Sequence, residues 1–103
     1  MEQELTVIEV RDLMRSNQNL QLIDLRPSEE FQKDAIEGFI NIPLNNLSMK
    51  ITELDGGKLT ILLCDDGSLS HQGLLLLEAC GFKVQIVRGG ITDWKKIIQV
   101  LNS

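Results

Sequence analysis

One segment of the chain joins a strand-forming run, a cysteine and a helix-forming run within a few residues. The run Leu59–Leu63 is β-prone and leads directly into Cys64, and five residues that include Gly67 separate this cysteine from Ser70. A continuous apolar stretch at 74–77 then predicts a helix. A strand, a short loop and a helix form the repeating unit of open α/β sheets, which bind ligands at the carboxyl ends of their strands. We therefore expect Cys64 at the edge of a sheet where chemistry takes place.

The surroundings predicted for Cys64 leave two interpretations open. Backbone N–H groups of the loop and of the first helical turn would point toward the sulfur and favour its anion. The structural alternative is a small buried cysteine, since free cysteine is among the residue types most often buried. The spacing of residues alone does not decide between them.

The rest of the sequence alternates between strand and helix patterns. Thr6 and Glu9 have the spacing of a capping box, which predicts a helix from about Val7 to Arg15 behind a brief first strand. We predict further strands at Leu20–Leu25, Phe39–Ile42 and Val84–Val87, and helices capped by Ser28, over residues 44–54 and over residues 91–101. Such alternation with short connections predicts one α/β domain, residues 1–103, with a central five-stranded, mostly parallel sheet and helices on both faces.

Charge and hydropathy exclude several classes of function. Ten Lys and Arg against fifteen Asp and Glu give a net charge of −5, which disfavours nucleic acid and anionic membranes as partners. The acidic amino terminus does not resemble a signal peptide, and no apolar run approaches the roughly 18 residues of a membrane span. We therefore expect a cytoplasmic protein.

The two cysteines are not expected to form a disulfide. Cys64 precedes the predicted helix and Cys80 ends it, which places them roughly 15 Å apart, whereas a disulfide needs Cα atoms within about 7 Å. We predict that Cys80 packs the helix against the sheet. One histidine and no Cys-x-x-Cys motif give no metal-binding pattern, and no cofactor is expected.

Four segments resemble motifs of the rhodanese-like family, in the order that the family has them. They are Leu22–Arg26 with Glu29–Phe31, Ile36–Pro43, Cys64–Ser70 and Val87–Trp94. The resemblance implies a rhodanese-like fold and sulfur transfer through a persulfide on one catalytic cysteine, which is Cys64 here. It also implies two partners, a sulfane-sulfur donor and a thiol acceptor, each a small molecule or a protein. We expect a monomer or a weak dimer.

The same resemblance assigns substrate binding to the loop after Cys64 and to one arginine. The assigned residues are Asp65, Asp66, Gly67, Ser68, Leu69, Ser70 and Arg26. Two of them have structural alternatives, since Ser70 can cap the following helix and Arg26 can fix neighbouring loops together with Asp24.

This loop departs from the family pattern at two positions. Active members usually carry arginine directly after the cysteine and again before the serine, where this chain has Asp65 and Leu69. Arginines would hold an anionic donor such as thiosulfate, whereas Asp65 and Asp66 repel it and disfavour the thiolate. We expect Arg26 and Arg88, which follow predicted strands, to offset part of this negative charge. Thiosulfate should therefore be a poor donor, and a neutral persulfide a better one.

Two classes of function follow from these residues. The first is a sulfurtransferase or persulfide carrier, and the alternative is a catalytically weak module retained for protein interaction or regulation. A phosphatase with a related cysteine loop would need arginine at position 70, which is serine here.

A reactive Cys64 at a loop mouth predicts faster alkylation of Cys64 than of Cys80.

Overall fold

The computed structural model of the chain describes residues 3–16 and 19–102. Its strands are β1 (Glu4–Leu5), β2 (Leu20–Asp24), β3 (Ile40–Asn41), β4 (Leu59–Leu63) and β5 (Val84–Val87). Its α-helices are α1 (Val7–Ser16), α2 (Ser28–Asp34), α3 (Leu47–Lys50), α4 (Ser70–Ala79) and α5 (Gly90–Leu101), and short 3₁₀ turns at Leu44–Asn46 and Ile51–Glu53 flank α3.

The five strands form one sheet in the order β1-β5-β4-β2-β3, and every pair in it is parallel. The predicted fold is therefore confirmed, and β4, which leads into Cys64, is the central strand. Asp24 at the end of β2 is in register with Leu63 at the end of β4. Both strands thus deliver the residues that follow them to the same edge of the sheet.

Helices cover both faces of the sheet, as its aliphatic strands require. On one face, Leu47 of α3 and Leu77 of α4 pack against the strands in a cluster that includes Cys64. On the other face, α1 and α5 cover a second cluster, in which Trp94 meets the ring of Phe39 edge-on with centroids 6.0 Å apart. Trp94 is therefore a core residue.

The start of α1 confirms the predicted capping box. The Thr6 N–H donates to Glu9 Oε1 at 2.8 Å, and the Glu9 N–H donates to Thr6 Oγ1 at 3.1 Å. The cap predicted at Ser28 is wrong. Pro27 occupies that position with an extended backbone, and Ser28 is the first residue of α2, because proline fixes the φ angle that leads into a helix.

The helix predicted over residues 44–54 is divided into three short pieces. Asn46 and Lys50 have φ angles of −101° and −102° with ψ near zero, which interrupts regular α-helix at each junction. The apolar side chains of Leu47, Ile51 and Leu54 still face the core. Their spacing therefore predicted burial correctly, but the backbone forms the tighter turns of a 3₁₀ helix in two of the three pieces.

Candidate active site

Cys64 directly follows the central strand and is fully buried, with 0% of its surface exposed. It belongs to the apolar cluster that contains Leu25 and Leu74, so its side chain lies on the face of the sheet covered by α4. The Gly67 N–H donates a hydrogen bond to Cys64 Sγ at 3.2 Å. Gly67 has φ of +97°, in the left-handed region that glycine adopts without a Cβ clash. The loop therefore turns back so that a backbone donor meets the sulfur.

The first residues of α5 hold the backbone of this loop. The Ile91 N–H donates to the Cys64 carbonyl at 2.8 Å, and both the N–H and the hydroxyl of Thr92 donate to the Asp65 carbonyl at 3.1 and 3.0 Å. A Cβ on Gly90 would lie 2.3 Å from the Cys64 carbonyl oxygen, which leaves no space for a side chain there. The amino terminus of α5 thus fixes the loop through its carbonyl groups.

Two carboxylates of the loop are exposed and lie in different surroundings. Asp66 accepts hydrogen bonds from the Ser68 N–H at 3.0 Å and the Ser68 hydroxyl at 2.7 Å, and these bonds lower the pKa of Asp66 below its ordinary value. A hydrogen bond between Glu30 and Asp65 raises the pKa of Glu30, and the repulsion between the two charges raises it further. The surface beside Cys64 therefore keeps the negative character predicted from Asp65 and Asp66.

Arg26 and Arg88 lie at this edge of the sheet as expected, but each binds carboxylates outside the loop. The buried Arg26 guanidinium is paired with Asp24 at 2.8 Å and with Asp34 at 2.6 Å. Burial opposes the charge of Arg26, but these two hydrogen bonds outweigh it and hold the pKa of Arg26 above its ordinary value. Arg88 Nε lies 3.3 Å from Glu4 Oε1. Arg26 therefore pairs with Asp24, as the structural alternative to substrate binding predicted.

Ser70 does not cap α4, which corrects the structural alternative given for it. Leu69 occupies the cap position in a helical conformation, with φ of −69° and ψ of −24°. Ser70 is therefore already the first helical residue, where its hydroxyl no longer reaches the N–H groups of the first turn. The hydroxyl is buried and has no hydrogen-bond partner among the described residues. A buried polar group without a partner is rare and concentrates at functional sites.

The exposures of the two thiols reverse the expectation from the sequence. Cys80 lies exposed at the end of α4, whereas Cys64 is buried. The predicted packing role of Cys80 is therefore wrong, because the helix turns this position away from the sheet. The structure also removes the reason given for faster alkylation of Cys64, since exposure favours Cys80.

A groove of about 700 Å³ opens at the same edge of the sheet. Its apolar walls include Leu25, Leu44, Leu69 and Leu76, and Leu69 is also part of the cysteine loop. Cys64 itself does not line the groove. The groove therefore begins beside the loop and leads away from it along α4.

Comparison with known families decides the class of the chain. The family model for the rhodanese-like domain matches residues 6–97. The chain belongs to the rhodanese-like family. Solved structures of rhodanese-like proteins have the same fold as this chain. A rhodanese-like domain protein from Staphylococcus aureus superposes with a TM-score of 0.84 at 23% identity, over 91% of each chain. A rhodanese-related protein from Thermoplasma volcanium gives 0.83 at 23% identity, also over 91% of each chain.

Relatives of this rhodanese-like chain carry names from sulfur metabolism. YtwF of Bacillus subtilis strain 168, named as a sulfurtransferase, is 27% identical over 89% of this chain and 89% of its own length. YrkF of the same organism, named as a sulfur carrier, is 31% identical over 77% of this chain. This chain spans 43% of the length of YrkF. These names support sulfurtransferase chemistry for the family in general.

Two features of the site were not found from the sequence. Gln72 and Leu76 of α4 and Leu69 at its cap position line the groove together, and their spacing of three and four residues is a detectable signal. The approach of Glu30 to Asp65 joins two segments far apart in the chain, and no local pattern predicts it.

Among the described residues, no group of three or more His, Cys, Asp or Glu could hold a metal ion. Within the same residues, no helix is both long and apolar enough to span a membrane.

Proposed function

We propose that this rhodanese-like domain carries sulfane sulfur as a persulfide on Cys64. The Cys64 thiolate attacks the outer sulfur of a persulfide donor, so that a new S–S bond forms at Cys64 and the donor's S–S bond breaks. The donor leaves as a thiolate, and the protonated outer sulfur stays on Cys64. An acceptor thiolate then attacks that outer sulfur and releases Cys64 as a thiolate. Both steps are exchanges, and neither needs an oxidant.

The hydrogen bond from the Gly67 N–H to Cys64 Sγ is the observation that carries this proposal. A fixed N–H donor stabilises negative charge on sulfur without reorganisation when the charge develops. The Ser70 hydroxyl at the start of α4, which has no hydrogen-bond partner among the described residues, would serve as a second donor once an extra sulfur is bound. The names of YrkF and YtwF agree with this chemistry.

The charge of the loop selects the donor. Thiosulfate carries two negative charges and would meet Asp65 and Asp66, while Arg26 and Arg88 are paired elsewhere. At an effective dielectric constant near 20, two unit charges about 4 Å apart interact by about 4 kcal/mol. Solvent screens part of this repulsion, but each 1.4 kcal/mol or so that remains slows the reaction about tenfold. The preferred donor is therefore a neutral or cationic persulfide.

A double variant tests this selection. Asp65→Arg with Leu69→Arg removes a repulsive charge and adds two cationic donors, so thiosulfate sulfurtransferase activity should rise at least tenfold over the natural protein. Glu37→Arg with Leu101→Arg gives the same change of net charge at exposed positions outside the loop and should leave the activity low. Cys64→Ser in the double Arg background should abolish the gain. A gain that survives this change would contradict the role of Cys64.

The complete burial of Cys64 favours one alternative, a protein-interaction module with little catalysis. Such a module would take up sulfur from no donor, in the natural protein or in the double Arg variant. That result would replace the carrier proposal with the module.

A further inference from the structure

We propose that the groove beside the cysteine loop binds a cationic polypeptide segment, which presents a cysteine persulfide or an acceptor thiol to Cys64. The inference rests on the proposed function for its chemistry and adds the class of partner. The sulfur donor or acceptor is then a protein rather than a small inorganic anion.

The groove and the cysteine are neighbours in the sheet. Asp24 and Leu63 are register partners on adjacent strands, so the residues that follow them, Leu25 and Cys64, lie side by side at about one strand spacing. Both side chains belong to the same apolar cluster and hence to the same face of the sheet. Leu25 lines the groove, and so does Leu69 of the loop. A segment in the groove would therefore end close to Cys64.

The lining of the groove suits a peptide main chain. The volume of about 700 Å³ lies within the ordinary range of binding pockets, about 300–1,000 Å³. The groove is lined by the side-chain amides of Asn45, Asn46 and Gln72 and the hydroxyl of Ser48 in addition to its apolar walls. Amides both donate and accept hydrogen bonds, which matches the N–H and C=O groups of an extended segment.

The two helices that border the groove each carry an exposed apolar residue. Met49 of α3 has 72% of its surface exposed, and Leu75 of α4 has 67% exposed. Each is next in the chain to a residue that lines the groove, namely Ser48 and Leu76. A polypeptide is long enough to contact these two residues as well as the groove, whereas a small thiol is not.

The charges around the groove determine the sign of the partner. Glu29 lines the groove, and Asp65 and Asp66 are exposed on the loop that Leu69 shares with it. The hydrogen bonds from Ser68 favour the ionised form of Asp66. Complementary charge steers association and rejects partners of like charge. The segment that fits is therefore rich in Lys or Arg around its cysteine.

Binding is tested without sulfur chemistry. Two extended peptides of equal length are compared, one with Lys and one with Glu around a central serine that replaces the reactive cysteine, and each is titrated into Cys64→Ser protein. We expect the Lys peptide to bind at least tenfold more tightly.

Ser48→Trp should weaken that binding by obstructing the groove. Glu29→Lys should weaken it several-fold, while Glu37→Lys, an equal charge change at an exposed position outside the groove, should not. Equal binding of the two peptides, or unchanged binding by Ser48→Trp, would overturn the groove proposal.

Sulfur uptake from a small neutral persulfide separates this inference from the proposed function. We expect Ser48→Trp to slow the loading of Cys64 from a Lys peptide that carries a cysteine persulfide several-fold more than it slows loading from the small donor. Equal loss with both donors would overturn the groove as a binding site for the partner. Tight binding of the Lys peptide without any sulfur uptake would refute the proposed persulfide chemistry and leave the docking surface in place.

Discussion

Substitution of Ser70 should affect the stability of the protein and its sulfur uptake differently. Its buried hydroxyl has no partner in the part of the chain that the structure describes, and an unsatisfied buried hydroxyl costs about 1–3 kcal/mol. Ser70→Ala should therefore leave the free energy of unfolding unchanged or raise it by about 1 kcal/mol, while persulfide formation on Cys64 slows several-fold. Urea denaturation and mass spectrometry of sulfur uptake measure the two effects. A loss of stability with unchanged uptake would assign Ser70 a structural role, and the exposed Ser16→Ala is the control.

Glu30 gives a pH dependence with a definite sign. Its hydrogen bond to Asp65 and the repulsion between the two groups raise the pKa of Glu30 in the folded protein above the ordinary value of 4.5. The folded state therefore favours protonated Glu30, and stability from this group is present below pH 4.5 and is lost as the pH rises through the raised pKa. Glu30→Gln should raise the melting temperature at pH 7 and have no effect below pH 4.5. The exposed Glu37→Gln should shift it at neither pH, and an unchanged melting temperature of Glu30→Gln at pH 7 would contradict the pairing.

At the scale of elements, the amino terminus of α5 is the part that holds the cysteine loop. Gly90 has φ of +60°, and a Cβ there would lie 2.3 Å from the Cys64 carbonyl oxygen. Gly90→Ala should therefore destabilise the protein by about 2 kcal/mol or more, since backbone strain and displacement of the loop add to each other. Gly56→Ala meets nothing within 4 Å and is the matched control, with an expected change within about 0.5 kcal/mol. Equal denaturation midpoints for the two variants would show that α5 does not fix the loop.

At the scale of the whole molecule, Arg26 connects elements from three parts of the chain. It pairs with Asp24 at the end of β2 and with Asp34 at the end of α2, and Asp34 also binds Lys95 of α5. Asn41 of β3 donates to the Asp24 and Arg26 carbonyls at 3.0 and 2.9 Å. Arg26→Met would leave the buried Asp24 charge without its partner, so we expect a loss of about 3–5 kcal/mol in the free energy of unfolding. The exposed Arg15→Met should change it by about 0.5 kcal/mol at most, and a similarly small loss for Arg26→Met would show that the network contributes little.

The sequence predicted those parts of the fold that depend on local pattern. The Thr6–Glu9 capping box, the run ending at Leu63 and the alternation of strands with helices were enough to predict the parallel sheet and the position of Cys64 at its edge. The orientation of Cys80 and the helical state of Leu69 were not predictable in this way, because a shift of one residue in a helix changes which side chain faces the core. Contacts between distant segments, such as Glu30 with Asp65, depend on the folded sheet edge.

The central claim is that Cys64, and not the more exposed Cys80, accepts sulfane sulfur. Mass spectrometry of proteolytic peptides after brief exposure to a small neutral persulfide tests it most directly, with thiosulfate in parallel and Cys64→Ser and Cys80→Ser as matched variants. We predict one added sulfur atom on the Cys64 peptide of the natural and Cys80→Ser proteins, little from thiosulfate, and none at that position in Cys64→Ser. Sulfur found only on Cys80, or on neither cysteine, would contradict the account.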